Sequence, residues 1–312
     1  MFDLFDLHSD TATEIFAGGK ELKNNDLNIS LSQRKGIGRY IQTFAFWTQN
    51  DDDRSARRFD AFSATYSYFM KECIKNSDEV AVISDKADLG KAAESGKTGV
   101  LLAVEGGGVL EGDPAKVEKL KKCGIKLLTL TWNKANELSG GVLDENQSGL
   151  TSVGREVISE MERLGITLDV SHISDKGFED VCGLVKKPFI ATHSNSRAVC
   201  PHPRNLTDDM FREIVRRGGL VGINLFNKFL TKDGVADADC ICRHIERFLK
   251  LGGEKSIAMG TDFDGVDNDL PDGISGLKDM YKLSDALVAR FGSETASDIM
   301  FRNAYGFFNS IL

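Results

Sequence analysis

Long hydrophobic runs are missing from this 312-residue sequence. No apolar stretch reaches the roughly 18 residues of a membrane-crossing helix. The first residues, Met1-Phe2-Asp3-Leu4-Phe5-Asp6-Leu7, hold no basic residue ahead of an apolar segment and do not read as a signal peptide. The C-terminus lacks the apolar tail of a lipid-anchor signal, so no membrane anchor is expected. Positive charge is also short. Lys and Arg number 39 against 47 Asp and Glu, a net charge of −8 with no basic stripe, which disfavours nucleic acid and anionic membrane as partners. Proline is limited to five residues, and no Gly/Ser-rich or Pro-rich linker divides the chain, so one domain is expected over residues 1–312. No period of 20–50 residues repeats, which excludes a solenoid. The six cysteines, at 73, 123, 182, 200, 240 and 242, match no common zinc or redox spacing. They read as reduced thiols of a cytoplasmic protein.

What is present is a recurring unit: a short apolar run, a polar stop, then an amphipathic stretch. The runs fall at residues 2–7, 40–47, 100–104, 127–131, 166–170, 189–192, 220–223 and 256–260. Short apolar runs bounded by turn residues are the pattern of buried parallel strands. Helical spacing fills the gaps over residues 57–76, 151–164, 210–217, 238–250 and 284–291, with Gly165 as a stop and Thr207 as a cap. Eight strands alternating with helices predict an α/β fold, a single (β/α)8 TIM barrel.

Most of these runs end at a residue that binds metal or moves protons: His8 and Asp10, Glu105, His172, His193 and Asp262. In a (β/α)8 barrel the C-terminal strand ends meet at one face, where active sites lie. Three imidazoles and two carboxylates form a nitrogen–oxygen donor set suited to zinc, or to manganese, iron or cobalt. Five ligands exceed one tetrahedral site and fit two metals if Glu105 bridges, with Asp262 left to move the proton. Each residue alone has a plainer reading. One histidine at a strand end is more often structural. Glu105 before Gly106-Gly107-Gly108 could be a turn residue, the glycines could suggest a phosphate loop, and Asp262 could cap a helix. Jointly those readings strain, because buried carboxylates and imidazoles without partners cost several kcal/mol. His244 reads as a packing or surface residue, His202 as a loop residue near the pocket, and Asp51-Asp52-Asp53 as a solvated charge run.

At these residues the sequence resembles the membrane dipeptidase (renal dipeptidase) family of the amidohydrolase superfamily. The resemblance runs over essentially the whole chain. It is carried by His8-Ser9-Asp10, Glu105-Gly106, Gly149-Leu150-Thr151 with Gly154-Arg155-Glu156-Val157, and Glu160-Met161 with Arg163-Leu164-Gly165. Asp169-Val170-Ser171-His172-Ile173-Ser174, Thr192-His193-Ser194, Arg204-Asn205 with Asp208-Asp209, Leu251-Gly252-Gly253 and Gly260-Thr261-Asp262-Phe263-Asp264-Gly265 complete it. Each motif is weak alone; their order and spacing together are specific.

The resemblance implies a binuclear zinc hydrolase of dipeptides, with two Zn2+ per chain. His8 and Asp10 would hold one metal, His172 and His193 the other, and Glu105 would bridge them. Asp262 would be the catalytic acid/base. Arg204, eleven residues after His193, would bind the free C-terminal carboxylate of the substrate, a pairing that suits a guanidinium fork. A homodimer is also implied. The resemblance breaks where members of the family end the fourth strand in Leu-Thr-His and use that histidine to polarise the substrate carbonyl. This chain reads Leu130-Thr131-Trp132-Asn133, and Phe226 stands where a family tyrosine is found. Indole offers one donor and no basic nitrogen, so Trp132 and Asn133 become candidate substrate-binding residues. The expectation is a zinc dipeptidase that attacks with a hydroxide held between its metals. The alternatives are a related amidohydrolase acting on an N-acyl amino acid, a D-amino-acid amide or a lactone, and a catalytically silent metal-binding barrel.

Overall fold

The computed structural model describes residues 1–48 and 57–312. The Asp51-Asp52-Asp53 run lies outside the described residues. The strands are β1 (Phe2–Asp6), β2 (Ile37–Trp47), β3 (Val80–Val82), β4 (Thr98–Glu105), β5 (Leu127–Thr129), β6 (Thr167–Asp169), β7 (Val221–Ile223) and β8 (Ile257–Met259). All pair in parallel, in the order β6-β5-β4-β2-β1-β8-β7. The ring closes between β6 and β7 through two single bridges, Asp169 to Ile190 and Ala191 to Val221. Seven strands and the segment 189–192 thus form the eight staves of the barrel.

Two details differ from expectation. Residues 189–192 make bridges and not a ladder. The Thr192 carbonyl runs so close to Gly222 and Gly260 that a Cβ on either glycine would strike it. β3 was not anticipated. It pairs with the first three residues of β4, on the edge that β5 takes over from Ala103 onward.

The period of two is visible in the packing. Tyr40, Phe44 and Phe46 of β2 and Val100, Leu102 and Val104 of β4 pack with Phe62 and Phe69 of the helix Arg58–Lys75. The alternate residues Ile41, Ala45, Leu101 and Ala103 join Phe5, Leu127, Ile190, Leu220 and Ala258, drawn from staves all round the barrel. Phe301 and Phe308 belong to this inner cluster, and Phe308 stacks on Phe5 at 5.2 Å. Such a pair contributes about 1 kcal/mol beyond its buried area.

Helix ends follow local rules. The Thr151 hydroxyl accepts from Gly154 N and caps Ser152–Leu164, which stops at Gly165 with φ +69°. Thr207 caps Asp208–Arg216 in the same way. The helix expected at 284–291 runs Met280–Ser297, broken by a non-helical Gly292. Among the described residues no helix is long and apolar enough to cross a membrane.

Register decides which side chains meet. Trp47 pairs with Glu105, Glu105 with Thr129, and Thr129 with Asp169, one row at the C-terminal end of four staves.

Candidate metal centre

The structure gathers His8, Asp10, Glu105, His172, His193 and Asp262 at this end, all of them buried. Three overlapping triads place their donor atoms within 4.8 Å of one another: His8, Asp10 and Glu105; Glu105, His172 and His193; His8, His193 and Asp262. Glu105 stands between the first two. Its Oε1 is 2.9 Å from His172 Nε2 and 3.5 Å from His193 Nε2, and its Oε2 is 3.5 Å from His8 Nε2. His8 Nε2 also lies 3.6 Å from Asp10 Oδ2 and 3.8 Å from Asp262 Oδ1.

Residues underneath hold these groups in place. Asp262 Oδ2 accepts from Asn224 Nδ2 at 2.8 Å. His172 Nδ1 donates to Asn133 Oδ1 at 3.0 Å, which commits that end of Asn133 to the histidine. At the end of β1, Asp6 accepts from the His8 and Thr261 amides and from the Thr261 hydroxyl. His172 and Asp262 both take left-handed backbone, φ +67° and +61°. Non-glycine residues held there cost about 1–3 kcal/mol each, and such strain gathers at functional sites. Gly265 leaves the space beside Asp10 and Asp262 open, since a Cβ there would collide with both carboxylates.

The electrostatics are those of a crowded, buried set of imidazoles and carboxylates. Burial opposes a charge on His8, but Glu105 and Asp10 outweigh it and hold the imidazole well above its ordinary value. Burial and then the Glu105 charge push Asp10 up to about 8. Burial, with Arg204 nearby, pushes His172 down to about 4. His193 falls well below its usual range, by burial and then by the charge on His8. Asp262 is raised by burial. Among the described residues His8 Nε2 and Asp10 Oδ1 are buried without a hydrogen-bond partner. A bound dication inverts this logic and favours every deprotonated donor. The nitrogen–oxygen donor set and these orphaned atoms therefore fit a metal centre.

A cavity of about 470 Å3 opens over the cluster, lined by Trp47, Trp132, Asn133, Phe226 and Phe229 among others. Trp47 and Trp132 meet edge to face at 5.1 Å. Arg204 does not line this cavity. Its guanidinium is buried beside the site, donates to the His193 carbonyl at 3.3 Å, lies over the Phe229 ring at 5.3 Å and leaves Nε without a partner among the described residues. His202 also misses the cavity and packs on the far wall residue Phe229 at 4.6 Å. His244 is a buried packing residue; its Nδ1 accepts from Ser196 N and its Nε2 donates to the Leu230 carbonyl. The glycines after Glu105 lead into a buried turn, Gly107–Leu110, and offer no open phosphate cradle.

Sequence reasoning gave Asp6, Asp169, Thr192 and Asn224 no role in the site. The available sign was a carboxylate inside an apolar run, as in Leu168-Asp169-Val170, where burial demands dedicated partners.

A parallel α/β barrel with imidazoles and carboxylates converging on its C-terminal mouth defines the class: a metal-dependent hydrolase. The chain belongs to the membrane dipeptidase family, peptidase family M19, whose model it matches over residues 1–310. It is a metallo-dipeptidase by family. It is 34% identical over 246 residues to the "uncharacterized protein in pqqA 5′ region" of Klebsiella pneumoniae, covering 75% of this chain and 90% of that one. It is 33% identical over 226 residues to an uncharacterized dipeptidase of Schizosaccharomyces pombe, covering 69% of this chain and 52% of that protein. In fold it matches a Rhodobacter sphaeroides metallo peptidase liganded with a phosphinate mimic of L-Ala-D-Ala: TM-score 0.91, 23% identity, 100% of this chain and 99% of the other. A Pseudomonas aeruginosa amidohydrolase matches with TM-score 0.81 and 25% identity over 97% of this chain and 99% of that one.

Proposed function

We propose that this chain hydrolyses dipeptides with a free C-terminal carboxylate, using two zinc ions per chain. His8 and Asp10 would hold one ion, His172 and His193 the other, with Glu105 shared. The observation that carries this reading is Glu105 itself, whose two oxygens face separate ligand pairs. When bound, paired metals acidify a water and polarise a carbonyl.

The chain's own residues do the rest. Asp262 is held by Asn224 at the edge of the cluster, with its free oxygen toward His8. It takes the proton of the attacking water and returns it to the leaving amine. Arg204 is close enough to feel the charges of Asp262 and Glu105. It lines a small adjoining pocket with His172, and a substrate carboxylate reaching there would pair with it and so limit chain length. Trp132 and Trp47 form an apolar wall that excludes water from one side of the cavity.

Trp132 in place of the family histidine favours a second reading, hydrolysis of a related amide such as an N-acyl amino acid. One experiment tests both: hydrolysis of L,L and L,D dipeptides and acyl-amino acids by the purified protein, with metal counted in the same sample. Dipeptide cleavage with two zincs per chain is the expected result. Two zincs with cleavage of acyl-amino acids alone would transfer the assignment to the second reading, and a metal-free active protein would end both.

A further inference from the structure

Asp169 is a buried carboxylate that makes no ion pair with another of the described residues, yet all its acceptor capacity is used. Oδ1 accepts from the backbone amides of Ser171 at 2.9 Å and Thr192 at 3.0 Å. Oδ2 accepts from the hydroxyls of Thr129 at 2.7 Å and Thr192 at 2.6 Å. A hydroxyl has one hydrogen, and Thr192 gives its hydrogen to Asp169. Toward the next group it meets, His193 Nδ1 at 2.8 Å, the Thr192 oxygen is therefore an acceptor. His193 must carry its hydrogen on Nδ1 and present a bare Nε2 to Glu105, 3.5 Å away.

We infer that Asp169 and Thr192 are positioning residues that fix His193 as the Nδ1–H tautomer, ready to ligate metal through Nε2. The relay runs from imidazole N–H to hydroxyl to carboxylate, with the hydroxyl inserted where a carboxylate often meets the ligand histidine directly. The fold supports it on both sides. Thr129 stands opposite Asp169 in the β5–β6 register. The Thr192 carbonyl is pressed against Gly222 and Gly260, so the residue cannot swing away from the carboxylate. The same Thr192 oxygen lies 3.5 Å from His8 Nδ1, too long for a comparable hold on the first ligand pair.

The inference rests on the reading of this cluster as a metal centre, but its first test does not need metal. Long-range 1H–15N spectra of the uniformly labelled, metal-free protein report the tautomer of each of its five histidines. His193 protonated on Nδ1 is expected; His193 protonated on Nε2 overturns the inference, whatever the metal does. The second test is zinc affinity by competition with a chelator. Thr192→Val and Asp169→Asn are expected to weaken zinc binding 10–100-fold, the usual size of such outer-shell effects. Thr192→Ser, which restores the hydroxyl, is expected to recover affinity to within a few-fold. Wild-type affinity in a folded Thr192→Val variant overturns the relay. If that variant does not fold, the wild-type tautomer decides alone. Failure of the wild-type chain to take up zinc would sink the metal centre and leave the tautomer result to stand separately.

Discussion

The Nε2 atoms of His172 and His193 lie 2.8 Å apart. Each ring spends its Nδ1 hydrogen on another acceptor, Asn133 for His172 and Thr192 for His193. Both rings are held neutral, so two lone pairs face one another in a buried site. A cation between them is the arrangement that turns this repulsion into attraction. Removing metal with a chelator should therefore destabilise the protein, and zinc should restore it. A ligand at a hundredfold excess over its Kd contributes about 2.7 kcal/mol, which a thermal melt resolves as several degrees. An unchanged Tm after metal removal, with metal counts confirming that removal was complete, would contradict the centre.

Metal uptake should release protons. Without metal at pH 7 the interacting pair His8 and Asp10 retains a proton, since Glu105 and Asp10 hold the imidazole above its ordinary value while burial and Glu105 push Asp10 up to about 8. Ligation needs both deprotonated. Apparent zinc affinity should therefore rise with pH through the neutral range. Calorimetry in buffers of different ionisation enthalpy measures the protons released; zero release together with a flat affinity from pH 6 to 8.5 would show that neither group is a ligand.

Asp262 sits in a triad with His8 and His193, so its role divides two ways. As the proton carrier, Asp262→Asn should keep both metals and lose about 10²–10⁴ in kcat. A fall in metal content to one per chain would make it a ligand instead. Asn224→Ala, which frees Asp262 Oδ2, should show a weaker version of the same loss with metal retained.

Much of this site is legible in the sequence because the barrel converts chain position into space. An apolar run that stops at His8, Glu105 or His193 places that residue at the C-terminal mouth, and the ring brings the mouths together. What was not legible depends on distances across staves. Nothing local says that Thr192 leans on two glycines from two other strands, or that Asp169 collects hydroxyls from residues 129 and 192. Arg204 was readable as a chemistry and not as a place: the residue is buried beside the cluster, behind the His193 backbone, and not on the cavity wall. β3 was missed because its three residues lead straight into a capped helix, Lys86–Glu94, and three residues are too short a run for a period of two to show.

His244 should make the protein sensitive to acid. Burial pushes it down to about 4, against about 6.5 in an unfolded chain. A depressed folded value gives stability that is complete above pH 6.5 and is lost as pH falls toward 4, about 3 kcal/mol in all. His244→Gln should be less stable at pH 7.5, having lost good hydrogen bonds to Ser196 and Leu230. Its stability should also fall less steeply between pH 6.5 and 4.5. Urea unfolding across that range, compared with the parent chain, measures the difference in slope; equal slopes would mean that His244 is not titrating.

Arg204 sets function against stability. Its guanidinium is buried, and among the described residues its Nε has no partner and its guanidinium hydrogen bond, to the His193 carbonyl, is long at 3.3 Å. Burial lowers its pKa to about 10, which still leaves the charge in place at neutral pH. A buried cation so poorly paired is costly, and with metal beside it the cost grows. On the proposed function, the partner for this cation would be the carboxylate of the substrate. Arg204→Met should therefore leave the empty enzyme as stable as the parent or more so. It should raise KM for free-carboxylate dipeptides at least tenfold, and change KM for their C-terminal amides little. Thermal melts and paired kinetics on a dipeptide and its amide separate the cases. A destabilised variant with equal losses on both substrates would make Arg204 a structural residue and remove the carboxylate from its account.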